Sequence, residues 1–296
     1  MSKHLRWISL LLAASFCLPV GTALAETSAP KSSTSKSSAS SAKKKIASPS
    51  ALNKRVQEGF GAFFDDLDNS TFTTDDPEDL KRLESWDGLL EIIYEQSSLV
   101  LSQLDDVKQN GGRSFMTKSG NQVETKVTNK SYTYTITGPM NFGSSKKEKL
   151  LLAAETAKFS RSTGKVESEL YLVGDDDKKG KIYSYFDLVA GENYLFIQLL
   201  DYDESLVEEG EKPFWALRVM VGKGNVAASF SNLSEAEAKE ARLTKTYKNF
   251  TAFAFPKSAK LVYSGDKVTV TLLNGDKIVY NQVAGSDVSG DMIKVE

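Results

Sequence analysis

The stretch "DYDESLVEEGEK" places Asp201, Asp203, Glu204, Glu208, Glu209 and Glu211 directly after an apolar run. If that run continues as a strand, Asp201 and Asp203 project to the same side. A carboxylate pair so placed can act as acid and base, or as nucleophile, in glycoside hydrolysis. That chemistry requires one carboxyl kept protonated by burial, and nothing in the sequence marks either residue as buried. A solvated acidic loop accounts for the same residues.

Two further acidic stretches fall short of a metal site. In "GDDDKKGK" (174–181) the aspartates are followed at once by Lys178 and Lys179. Gly174 and Gly180 bracket the segment between strand patterns, which reads as a charged hairpin turn rather than a calcium loop. "DLDNSTFTTDDPE" (66–78) has Thr71 where a calcium loop needs glycine, and Pro77 where it needs a bidentate glutamate. Ser-x-x-Lys recurs at 144–147, 162–165 and 264–267, and "KSG" stands at 118–120. These elements sit in turn-like regions and in the wrong order for a serine acylase. No metal or cofactor is expected.

The chain has one histidine and one cysteine, His4 and Cys17. Both fall in a segment that reads as a secretory leader. Lys3 and Arg6 form its cationic start, Ile8 to Val20 its apolar stretch, and Ala23-Leu24-Ala25 its small-x-small cleavage site. The apolar stretch is shorter than the roughly 18–20 residues that span a membrane. Cleavage after Ala25 removes both residues. Thiolate nucleophiles, disulfides, His/Cys zinc sites and Ser-His-Asp triads then drop out. The lack of cystines in an exported chain points to a bacterial envelope, periplasmic or extracellular.

Residues 26–50 are nearly all Ser, Ala and Lys and carry a net charge of +4. So little apolar surface cannot offset the entropy of ordering the backbone, so a disordered linker is expected. Its lysines suit an anionic envelope polymer. Residues 51–296 carry −8, which disfavours nucleic acid as a partner.

The folded part opens with helical signals. Ser48 and Pro49 form a cap and first turn, and Leu52, Val56, Phe60, Phe63 and Leu67 recur at helical spacing. A second helix starts from an Asp76 cap with Pro77 at the first position and ends near Lys108, before Gly111 and Gly112. Its seam, Leu83, Trp86, Leu90, Ile93, Ser97, Val100, Leu104 and Val107, suits either packing within the chain or a coiled-coil dimer through 77–108. From about residue 113 the period becomes two. "SYTYTIT", "VESELYLV", "KIYSYFDLV", "NYLFIQLL", "FWALRVMV", "NVAASF", "NFTAFAF", "KLVYS", "KVTVTLL" and "KIVYNQV" read as strands. Ser234 and Glu237 make a capping box for one inserted helix.

The expected fold is α+β and mainly antiparallel. A helical hairpin over 51–112 packs in one domain with a β-rich region over 113–296, a curved meander sheet or open barrel. Aromatic residues on its strands, Tyr183, Tyr185, Tyr194, Phe196 and Trp215, are candidates for holding an apolar or sugar ligand, although core packing would use the same residues. The expected function is non-enzymatic binding of a ligand or partner in the envelope. The alternatives are a carboxylate-based hydrolase of envelope polysaccharide, or a structural protein dimerising through 77–108.

Overall fold

A computed structural model describes residues 48–69, 71–73, 77–116, 121–141, 150–173, 179–265 and 267–283. The leader, nearly all of the Ser/Ala/Lys linker, the Asp76 cap, residues 118–120 and 144–147, and the acidic turn at 174–178 lie outside them.

Helix α1 (Pro49–Asn69) begins where Ser48 Oγ accepts from Ala51 N at 3.1 Å. It buries Leu52, Val56, Phe60 and Phe63 along one face. At Gly59 it comes so close to the sheet that a Cβ would stand 2.6 Å from Val221 Cγ2. Helix α2 (Pro77–Gln109) buries its whole predicted seam, including Ser97, whose hydroxyl donates to Ile93 O at 2.6 Å. Gly111 and Gly112, at φ 68° and 80°, turn the chain out of the helix and into the sheet.

Between the helices lies a strand that the sequence pattern does not announce, β1 (Thr71–Thr73). After α2 come β2 (Phe115–Met116), β3 (Gln122–Val127), β4 (Ser131–Asn141), β5 (Leu150–Ser160), β6 (Val166–Val173), β7 (Lys179–Ala190) and β8 (Tyr194–Tyr202). The short helix α3 (Glu204–Glu208) leads to β9 (Phe214–Gly222) and β10 (Asn225–Leu233). Helices α4 (Glu235–Glu240) and α5 (Phe250–Phe253) precede β11 (Ala259–Tyr263), β12 (Lys267–Thr271) and β13 (Lys277–Val283). The sheet runs as an antiparallel meander from β2 to β13, and β1 adds beyond β13 as its thirteenth strand. Its two ends do not pair, so it is an open, curved sheet.

One face wraps the helices. Val123, Tyr134, Phe159, Leu188, Ile197, Leu217, Leu261, Val270 and Tyr280, drawn from β3 through β13, share one core with α1 and α2. The apolar seam of α2 is thereby buried within its own chain.

The outer face of β7–β10 is covered by the 234–258 excursion. The predicted capping box is present: Glu237 N donates to Ser234 Oγ, and Ser234 N to Glu237 Oε2. "NFTAFAF" departs from its strand reading and forms the single helical turn α5. Asn249 Oδ1 accepts from Ala252 N at 2.9 Å, and this cap outweighs the β preference of the aromatics. Arg218 ties the excursion down, donating to Phe253 O at 2.8 Å and Ala241 O at 2.9 Å while its guanidinium lies 4.1 Å from the Phe255 ring centroid.

Candidate functional site

The two glycines after α2 carry Arg113 and Phe115 alongside β3, where Thr125 Oγ1 donates to Arg113 O at 2.8 Å. This walls a partly open cavity of about 40 Å³ between the C-terminal end of α2 and strands β2–β4. Val107, Phe115, Val123, Tyr134 and Ile136 supply an apolar lining. Gln103 and Asp106 of α2, with Asn110 just beyond its end, bring polar groups to it. The cavity reaches the surface at the end of the sheet, where Phe115 and Met116 are exposed.

The polar groups here are unevenly satisfied. Both amide atoms of Gln103 are buried without a partner. Behind the Tyr134 ring, its hydroxyl donates to Glu155 Oε1 at 3.0 Å, and Ser168 Oγ donates to the same oxygen at 3.1 Å. The other oxygen of Glu155 is buried and unpartnered. Burial pushes the Glu155 carboxyl up, against the two hydroxyl donors that pull it down. It also raises Tyr134, with the Glu155 charge adding to the effect.

Strand register connects this site with a carboxylate singled out from the sequence. Phe115, Val123, Ile136, Glu155, Leu170, Ser184, Asp201 and Trp215 are successive cross-strand partners from β2 to β9. They form one row across the helix-facing side of the sheet. Asp201 is half-buried there, and desolvation pushes its carboxyl to about 7, opposed by a hydrogen bond from Ser184 and aided by the Asp203 charge. Asp203 has a different task. Its Oδ1 caps α3, accepting from Ser205 N at 2.9 Å and Ser205 Oγ at 2.6 Å.

The aromatic candidates divide between the two faces. Trp215 lies in the helix-facing core, stacked on Phe230 at 6.5 Å. Tyr183, Tyr185, Tyr194 and Phe196 point the other way. Tyr183 meets Tyr202 edge-on at 5.3 Å, and Tyr185 packs with Leu200, Phe214 and Phe255 beneath Arg242. Phe196, with Tyr194 beside it, packs against Phe253 and Tyr247 of the excursion. Tyr185, Tyr194 and Phe196 anchor the 234–258 excursion, and none of the four lines the cavity. Sequence reasoning missed Gln103, Phe115, Val123 and Glu155; an uncharged glutamine on the sheet-facing side of a long amphipathic helix was the signal available.

Among the described residues no group of three or more His, Cys, Asp or Glu is placed to hold a metal, and no helix is long and apolar enough to cross a membrane. No protein family, curated protein or solved structure matches this chain.

Proposed function

We propose that this chain is an exported, non-enzymatic protein of the bacterial envelope that binds an apolar ligand between its curved sheet and its long helix. The carrying observation is the cavity under the end of α2: apolar walls, a mouth beside exposed Phe115, and the unpartnered Gln103 amide within. About 40 Å³ admits only one end of a ligand. An apolar tip with one polar group matches that lining, burying apolar surface and supplying the amide with a hydrogen bond while the rest lies at the mouth. The leader-like first 25 residues support export. The use of Asp203 as a helix cap favours binding over carboxylate-pair hydrolysis.

Titration with the apolar fluorophore N-phenyl-1-naphthylamine tests the reading, alongside native mass spectrometry of protein purified from its own host. Saturable fluorophore binding, at least tenfold weaker in Thr125→Phe with unchanged circular dichroism, is the expected result, since the new ring fills the cavity. No saturable binding and no copurifying ligand would overturn the proposal.

A further inference from the structure

The last three strands of the meander differ in charge from the rest of the domain. Strands β11–β13 contain Lys260, Lys267 and Lys277 and no acid, although residues 51–296 as a whole are at −8. Period two puts all three lysines on the face turned away from the helices, since Leu261, Tyr263, Val268, Val270 and Tyr280 occupy the core side. Lys260 and Lys277 both stand opposite Thr271, so their Cα atoms are two strand spacings, about 9–10 Å, apart.

Two aliphatic side chains stand among them on the same face, and a third is exposed in the adjoining turn. Val262 and Val279 both lie opposite Thr269 and are 40% and 38% exposed. Leu273, in the turn that joins β12 to β13, is 76% exposed, the highest value among the exposed large hydrophobic residues of the described part. The excursion that covers the outer face of β7–β10 ends before β11, so it leaves these residues uncovered. In sequence one acid precedes each of the last two lysines, Asp266 before Lys267 and Asp276 before Lys277, so residues 259–283 net +1. Asp276 accepts from Asn274 Nδ2 at 2.6 Å.

We propose that the outer face of β11–β13 docks on an anionic lipid surface. The lysines complement lipid headgroup charge, each contributing on the order of 1 kcal/mol near such a surface. Leu273, Val262 and Val279 bury apolar area at the headgroup boundary. A dissolved polyanion would engage the lysines and leave the aliphatic groups in water, so the mixed face favours a membrane. This docking is independent of the cavity under α2 and stands or falls separately.

Cosedimentation with vesicles of equal parts phosphatidylglycerol and phosphatidylcholine tests it. Residues 26–50 carry five lysines of their own, so every comparison is between full chains that differ only at the named positions. The triple variant Lys260→Gln, Lys267→Gln, Lys277→Gln is expected to bind these vesicles about 100-fold more weakly. The triple Lys126→Gln, Lys130→Gln, Lys158→Gln, at the other end of the sheet, makes the same change in net charge and is expected to lose less than about fivefold. Leu273→Ser with Val279→Ser is expected to weaken vesicle binding and leave binding to dissolved dextran sulfate unchanged. Equal losses from the two lysine triples, full vesicle binding by the serine variant, or tighter binding to dextran sulfate than to vesicles would each overturn the proposal.

Discussion

Arg242 grips Asp187 with two hydrogen bonds, Nε to Oδ2 at 2.8 Å and Nη2 to Oδ1 at 2.9 Å. The pair joins the excursion after α4 to the middle of β7. Asp187 is fully buried and also accepts from Leu243 N at 3.1 Å, and Arg242 Nη1 reaches Glu169 at 2.7 Å. Truncating the arginine leaves a buried carboxylate without its counter-charge. Arg242→Ala is expected to destabilise the fold by about 3–5 kcal/mol in urea unfolding. Arg242→Lys is expected to recover only part of this, because one ammonium cannot span both oxygens of Asp187 and reach Glu169.

The raised carboxyl of Asp201 has a defined effect on stability. An aspartate titrates near 3.9 when unfolded and near 7 in the fold. Between about pH 4 and pH 7 the folded chain holds the extra proton, so this group's contribution is greatest at low pH and is lost as pH rises through 7. Glu237 acts oppositely, being held at about 2 by its hydrogen bonds from Lys212 and Ser234, so the total profile mixes both signs. The difference between variant and parent isolates the effect of Asp201. Asp201→Asn is expected to be more stable than the parent at pH 8, with most of that advantage gone at pH 4, by urea denaturation at each pH.

Gly59 sets the distance between α1 and the sheet. A larger residue should relax the helix backbone by propensity while meeting Val221 Cγ2. Valine is too stiff and bulky to avoid that contact. Gly59→Val is expected to cost about 1–3 kcal/mol. Gly61→Ala, whose Cβ meets nothing within 4 Å, is expected to stabilise the chain by a few tenths to about 1 kcal/mol. Thermal unfolding of the two variants side by side checks the difference.

Tyr280 fastens the last strand to the start of α2, its hydroxyl donating to Asp79 O at 2.7 Å. Tyr280→Phe is expected to cost about 1 kcal/mol. Hydrogen exchange should quicken in the first turns of α2 and along β13 before it does in β8 and β9.

The helices and most strands were legible because local rules agree with the tertiary outcome there. Pro77 and the three-and-four spacing from Leu83 to Val107 mark α2, and alternation marks β4 and β6 to β10. "LLLAAETAKFS" carries helix formers and no clean alternation, so β5 escaped notice. Thr71–Thr73 is too short to show a period. Asn249 overrode a strand-like run through a single side-chain cap. Alternation reveals which aromatics share a face, but it does not say which face the helices choose. That is why Tyr185 and Phe196 looked like candidates for the same pocket as Trp215. The cavity itself depends on register between β2, β3 and β4 and on the exit from α2, neither of which is written in any one segment.

The pairing of β1 with β13 makes Thr71 a neighbour of Val283, and every other strand pairs with a neighbour in sequence. A chain delivered N-terminus first therefore presents both apolar helices before the surface that covers them exists. The sheet can grow hairpin by hairpin, but the seat for β1 appears only when the final strand arrives. The β1–β13 pairing is thus a late event that requires every strand up to Val283. A chain that stops short of β13 would leave Thr71–Thr73, between the helices, without its strand partner.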